Sequence, residues 1–483
     1  MHPTRNPRPN RLACVSSLIA LAFAPSLARA QNPASIADFE TFIRAEQARQ
    51  GIPGIAIAVV SGDAVVWQQG FGVTSAETGS SASAIGPETL FQIGSLTKAF
   101  TATAILSAAA AGRFTLDRPV GTYVRELNPC IAAISTEQLL RHNGGLKDEP
   151  DEYGPHDESA LLAYAQTWGA DYCLLPPGTA YSYSNSGFAL AGLTLQQAFG
   201  KPYAELMREL VFEPLGMSRA TFSPTVAMSY PFSLGHRKQP DKPATVVRPV
   251  ADDARLWPAG EIWTSAAEVA RFAIALLNNG KIGGAQALPA GLFAQLSKPR
   301  ADVPAIEEQY GYGLALGNYR GLSRVGHGGT MPGFSVQLQM IPERQLGVIV
   351  LTNLETSQID PLVAHAFDAF LPAADVGKPQ PEAAGGKPGR VALPPYVDRY
   401  LGSYTNPKRW TLEITKNGQQ LVLKMFGREF PLEMIDEDRF LLHFPGREKP
   451  ELLVVGPRGK DGAGYVQFYV WAFARVKGKG RSS

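Results

Sequence analysis

The sequence predicts an α/β (α+β) fold: an antiparallel sheet sandwiched by helices, with a helical insertion, followed by a small all-β barrel. Three observations carry that prediction. Strand-like segments stand at both ends of residues 31–373 with helical patterns and Pro/Gly-rich loops between them, so one sheet is assembled from distant parts of the chain. Residues 374–393, "ADVGKPQPEAAGGKPGRVAL", lack apolar periodicity and read as a linker. In residues 394–483, short apolar segments recur at close spacing with turn signals between them, the pattern of a small barrel or sandwich.

The elements follow in order. "ADFETFIRAEQAR" has helical periodicity and stops before "GIPG"; "IAIAVVSGDAVVWQQGFG" reads as two strands joined at Ser61-Gly62-Asp63. A helix is predicted from Leu96 through "AILSAAAAGRF", with Gly112 as its stop. Residues 114–300 mix helices with long loops. "FSVQLQMIPERQLGVIVLTN" supplies two further strands and "PLVAHAFDAFL" a closing helix. After the linker, "WTLEITKNGQQLVLKMF" is a hairpin turning at Asn417-Gly418, and "EFPLEMI", "DRFLLHF", "ELLVVG" and "YVQFYVWAFARV" follow as strands.

Residues 1–30 carry Arg5, Arg8, Arg11 and Arg29 and no acid, an apolar stretch broken by Pro25, and small residues at Ala28 and Ala30. This is the pattern of a secretory leader cleaved after Ala30, so a periplasmic or secreted protein without a membrane span is expected. Without those residues the chain has 41 basic and 43 acidic side chains, and its one basic run is the tail "RVKGKGRSS"; no nucleic-acid partner is indicated. Cys14 leaves with the leader. Cys130 and Cys173 remain, an even number that fits either one disulfide or two unpaired thiols. No Cys/His cluster has zinc spacing, and neither a metal nor a cofactor is expected.

"FQIGSLTKAF", residues 91–100, places Ser95 and Lys98 one helical turn apart, on one face of an otherwise apolar run. Alone, S-x-x-K is a short pattern that a surface lysine also satisfies. A serine hydroxyl needs a base to act as a nucleophile. A lysine held in an apolar site loses preference for its charged form and becomes one. A serine at a helix N-terminus also has backbone N–H groups and a positive dipole end facing a developing oxyanion.

Two further motifs follow in the same chain. Tyr183-Ser184-Asn185 lies 88 residues after Ser95, and His327-Gly328-Gly329 a further 144 residues on, leading into a strand. Each alone is weak, since Tyr404-Thr405-Asn406 and His142-Asn143-Gly144 repeat the patterns. Together, in this order and spacing, they resemble the S-x-x-K, Y-x-N, H-x-G serine hydrolases: class C β-lactamases, DD-carboxypeptidases, D-aminopeptidases and related esterases. The resemblance covers about residues 35–372, with "LLRHNGGL" loosely matching the family's His-Thr-Ser-Gly-Leu loop, and the terminal barrel resembles the lipocalin-like barrels of some relatives.

The resemblance implies that Ser95 is the nucleophile, Lys98 its base, Tyr183 a second proton carrier and His327 a catalytic partner in place of the K-T-G lysine. It further implies Asn185, Gly329 and Thr330 as substrate-binding, with the Thr330 N–H in the oxyanion hole. A Tyr183–His327 proton relay is expected, and the barrel is expected to carry no catalytic group. The expected function is an acyl-enzyme serine hydrolase, acting on peptide or amide bonds of D-amino-acid or DD-peptide type. Carboxylesterase or β-lactamase activity at the same site is the alternative. So is a penicillin-binding sensor that acylates without turnover. The partner is a small-molecule or peptide substrate; neither its identity nor the oligomeric state is legible in the residues.

Overall fold

The computed structural model describes residues 33–77, 82–148, 153–372 and 393–476, apart from isolated positions in the last stretch. The expected leader and nearly all of the expected linker lie outside the described residues. Eight antiparallel strands form the main sheet: β1 (Gly54–Ser61), β2 (Ala64–Gly72), β3 (Ala301–Val303), β4 (Glu308–Tyr310), β5 (Ala315–Tyr319), β6 (Leu322–Met331), β7 (Phe334–Ile341) and β8 (Leu346–Thr352). Their order across the sheet is β2-β1-β8-β7-β6-β5-β4-β3, so the strands after the insertion join the edge of the initial hairpin.

The sandwich follows from the period of two. In β1, Ile55, Ile57 and Val59 point into a core with Phe39 and Ile43 of α1 (Pro33–Gln50) and Leu362 and Phe367 of α5 (Asp360–Phe370). The alternate residues Ala56, Ala58 and Val60 point into a larger core with α2 (Thr97–Ala110), α3 (Asn185–Phe199) and α4 (Ala266–Leu277). Every residue of β8 is buried, as a central strand covered on both faces requires.

Helices α2, α3 and α4 all belong to the insertion between β2 and β3. A disulfide joins Cys130 to Cys173 across 43 residues of it, with Cα atoms 6.5 Å apart. We expect titration of the unfolded, unreduced chain without residues 1–30 to find no free thiol. Loop-closure entropy predicts that reduction costs at most about 4 kcal/mol of stability. Two thiols per chain would refute the bond.

The C-terminal strands close into an eight-stranded up-and-down barrel: β9 (Gly402–Asn406), β10 (Trp410–Asn417), β11 (Gln420–Met425), β12 (Arg428–Met434), β13 (Arg439–Leu442), β14 (Glu451–Val455), β15 (Tyr465–Phe468) and β16 (Trp471–Arg475). Closure through β9 and β16 removes both sheet edges. Its interior is filled by its own side chains, among them Tyr404, Leu412, Leu423, Leu453 and Phe473.

Three details differ from the sequence reading. His327-Gly328-Gly329 lies within β6 rather than before a strand, because cross-strand pairing to β7 overrides the low strand propensity of glycine. The first barrel strand, β9, has no counterpart among the segments expected. "YVQFYVWAFARV" is two strands: Phe468 pairs with Trp471 and the chain reverses at Tyr469-Val470. No glycine or asparagine marks that turn, since Tyr469 itself takes the left-handed conformation with φ 52°.

Candidate active site

Ser95 sits in a single 3₁₀ turn, Gly94–Leu96, that runs directly into α2. The turn is pressed against β6. A Cβ on Gly329 would meet the Ile93 carbonyl oxygen at 2.0 Å, and one on Gly94 would meet the Thr330 nitrogen at 2.7 Å, while Gly94 also holds a φ of 51°. Both glycines are therefore required sterically. Gly329 thus abuts the nucleophile turn. A Cβ on Gly328 would meet only ordinary contacts, 3.5 Å from the Val336 carbonyl oxygen and 3.7 Å from Gln337, and Gly328 borders the adjoining cavity.

The Thr330 N–H is aimed by register. Strands β6 and β7 close a two-residue loop at Pro332-Gly333, so Met331 and Phe334 form the directly bonded pair. Antiparallel alternation then turns the N–H of Thr330 away from β7, toward the Gly94-Ser95 turn. The Ser95 and Thr330 nitrogens both border the contact between Gly94 and Gly329: a Cβ on Gly329 would lie 3.0 Å from the first, and one on Gly94 2.7 Å from the second.

Lys98 lies on the first turn of α2, with no exposed surface. Its Nζ donates to Ser95 Oγ at 3.0 Å, Asn185 Oδ1 at 2.6 Å and the Ala259 carbonyl at 2.7 Å. Nζ also lies 4.8 Å from the centroid of the Tyr183 ring. Burial brings its pKa down to about 7, against the pull of the Asp148 carboxylate, which favours the ammonium. Burial pushes the Tyr183 phenol above its ordinary value, and its hydrogen bond with Ser95 opposes that shift only in part. Near neutral pH the site therefore holds a partly neutral lysine and a protonated tyrosine on one serine.

The Tyr183-Ser184-Asn185 segment is placed by its neighbours on both sides. Ser184 caps α3, its Oγ accepting from the Gly187 N–H at 2.9 Å. The Ser184 N–H donates to Nδ1 of buried His142 at 3.0 Å, whose ring lies 4.3 Å from that of Tyr183. The Asn185 N–H donates to Asp148 Oδ1 at 2.8 Å.

The barrel supplies the opposite side. Tyr183 N–H donates to the Val470 carbonyl at 2.8 Å, Ala472 N–H to Ser182 Oγ at 3.2 Å, and Gln467 Nε2 to the Tyr181 carbonyl at 3.1 Å. Arg409, stacked 4.4 Å over Trp471, forms an ion pair with the second oxygen of Asp148, a carboxylate with no exposed side-chain surface. The barrel thus contacts the segment that carries Tyr183 and Asn185.

His327 lines a cavity of about 210 Å³ with Tyr183, Gly328, Tyr310 and Trp471. Its Nε2 is 2.9 Å from Tyr310 Oη and its Nδ1 2.5 Å from the Gly328 carbonyl. Burial and the nearby Lys98 charge lower its pKa to about 4, so the ring is neutral: Nδ1–H donates and Nε2 accepts. Both nitrogens are committed, and its ring centroid is 6.3 Å from that of Tyr183. The expected Tyr183–His327 relay is therefore replaced by a Tyr310–His327 pair. Asp148, Arg409, Tyr310 and the positioning role of His142 were not found in the sequence; only the "LLRHNGGL" loop gave a signal, for His142.

Among the described residues no group of three or more His, Cys, Asp and Glu could hold a metal, and no helix is long and apolar enough to cross a membrane.

Known proteins share this architecture. The chain is 28% identical over 310 residues to the putative penicillin-binding protein PbpX of Bacillus subtilis, covering 64% of this chain and 72% of that protein. It is 27% identical over 336 residues to protein flp of Staphylococcus aureus, covering 68% of this chain and 64% of that one. Among solved structures, SurE superimposes with a TM-score of 0.74 at 23% identity, over 92% of this chain and 99% of that one. The D-alanine carboxypeptidase AmpC of Burkholderia cenocepacia does so at 0.57 and 23% identity, over 70% of this chain and 99% of that chain. These likenesses establish the fold. The Beta-lactamase family model matches residues 39–369, the whole span that carries the sheet, the insertion and Ser95, and the protein belongs to that family.

Proposed function

We propose that the protein is an exported serine hydrolase that works through an acyl-enzyme on Ser95, cleaving peptide or amide bonds of D-amino-acid or DD-peptide type. One observation carries the reading: a fully buried lysine with a pKa near 7 donates to the hydroxyl of a serine at a helix N-terminus. In its neutral form Lys98 takes the Ser95 proton as Oγ attacks the substrate carbonyl. The N–H groups of Ser95 and Thr330 hold the oxyanion. Asn185 keeps Lys98 in place. Tyr183, protonated and hydrogen-bonded to Ser95, delivers a proton to the departing amine and is reprotonated by the Lys98 ammonium, so the Ser95 proton ends on the amine; water then releases the acyl group by the reverse relay. The leader pattern and the disulfide support export to an oxidising compartment.

The environment of His327 favours amides over specialised β-lactam hydrolysis. A neutral ring with both nitrogens engaged offers no cation for the carboxylate of a β-lactam, and the nearby Arg409 is bound to Asp148. The names of the similar proteins, a penicillin-binding protein and a D-alanine carboxypeptidase, fit the same substrate class. The test compares kcat/KM for a D-Ala-terminated peptide, a D-amino-acid amide, nitrocefin and nitrophenyl butyrate. The peptide or the amide is expected to exceed nitrocefin. Nitrocefin turned over best by tenfold or more would overturn the substrate assignment. One equivalent of product followed by a plateau would mark a sensor.

A further inference from the structure

We infer that the mouth of the barrel is a distal substrate subsite, which takes a large apolar group carried on the acyl side of the substrate, beyond the residue that acylates Ser95. This rests on the proposed hydrolase reading. The mouth encloses about 500 Å³ lined by Trp410, Met425, Phe426, Phe444 and the Tyr469-Val470-Trp471 turn. Val470 and Trp471 also line the cavity of Tyr183 and His327, so the two spaces adjoin across one turn. That turn is fixed to the site by the Tyr183 N–H to Val470 carbonyl bond.

The backbone supplies an independent observation. Two bulky residues of this lining, Phe426 and Tyr469, both sit at hairpin tips with φ 52°, where a glycine would be less strained. Such strain persists where a side chain is needed for what it touches. Phe426 is nevertheless 62% exposed, with its ring edge-on to Trp410 and the ring centroids 5.3 Å apart. A large apolar side chain in a strained backbone position, largely facing water beside a cavity, contributes little to the folded barrel and much to an apolar ligand. Arg447 at the rim is paired with Glu451 and Tyr469 Oη, so the chemistry of the mouth is apolar rather than anionic recognition. An acyl chain and an aromatic side chain of a peptide share this chemistry.

The test uses full-length protein and Phe426→Gly, with Phe426→Leu as the conservative variant. Substrates are nitrophenyl acetate and octanoate, and D-Ala-terminated tripeptides beginning with Gly or Phe. Wild type is expected to prefer octanoate, the Phe tripeptide, or both, by roughly tenfold or more. Phe426→Gly should lose roughly tenfold on the preferred long substrate and nothing on acetate, keep its thermal midpoint or raise it, and be largely rescued by Leu. Preference in the ester arm alone assigns the site to acyl chains, and in the peptide arm alone to aromatic residues. Equal kcat/KM across both series, or a Phe426→Gly protein indistinguishable from wild type on the long substrates, overturns the subsite and leaves the hydrolase reading standing. No turnover of acetate by wild type and no acylation of Ser95 would instead overturn the hydrolase reading.

Discussion

Ser95→Ala and Lys98→Met are each expected to lower kcat/KM by roughly 10⁴-fold or more, and the double variant no further than either alone, because nucleophile and base act as one unit. Lys98 donates to Ser95, Asn185 and Ala259, so its loss also releases Asn185. In wild type, kcat/KM should rise with pH through a midpoint near 7, as Lys98 loses its proton. Stability supplies a check independent of rate. The folded pKa of Lys98 is depressed from 10.5 to about 7, so the folded state binds fewer protons than the unfolded one between those values. Wild-type stability therefore rises with pH across that window, and the full cost of burying the charge is felt below it. Relative to Lys98→Met, wild type should gain on the order of 3 kcal/mol between pH 6 and pH 9. Parallel stability curves for the two proteins would show that Lys98 is not held in a depressed state.

Arg409→Met is expected to weaken catalysis from the barrel side. Asp148 is completely buried between the Asn185 N–H and the Arg409 guanidinium, and its charge already favours the Lys98 ammonium. Removing the guanidinium leaves that carboxylate uncompensated, so Lys98 should hold its proton to higher pH. The acidic limb should move up, with roughly a tenfold loss below pH 7 and near recovery at pH 9. Stability should fall by up to about 3 kcal/mol, since one partner of a buried pair is left behind. Adding Asp148→Asn removes the stranded charge, keeps an oxygen for the Asn185 N–H, and should bring the limb back toward or below its wild-type position. A limb that stays put in Arg409→Met would show that the ion pair is not coupled to Lys98.

The groups nearest the reacting atoms were legible because their signals are local. Ser95 and Lys98 share one turn of helix, and Tyr183, Ser184 and Asn185 are consecutive at the start of α3. The sandwich was legible because the period-two pattern of β1 and β2 and the apolar run of β8 are strong without context. What was hidden depends on distant pairing. The Asp148–Arg409 contact spans 261 residues, and neither side chain stands in a motif. The Tyr469-Val470 turn lies inside an apolar run that lacks turn residues, so the hairpin bringing Val470 to Tyr183 looked like one strand. The requirement for glycine at 329 appears only once the turn of Ser95 is packed on β6.

The most direct test of the central claim is the rate of covalent labelling at Ser95 as a function of pH. Protein is mixed with a penicillin or an activated ester, quenched from pH 5 to pH 9, and followed by intact mass and peptide mapping. The predicted result is one adduct per chain on the peptide containing Ser95, absent in Ser95→Ala, forming at a rate that rises through pH about 7. Labelling of Ser95→Ala at the wild-type rate, or a wild-type rate flat from pH 5 to pH 9, would contradict a Ser95 nucleophile activated by a neutral Lys98.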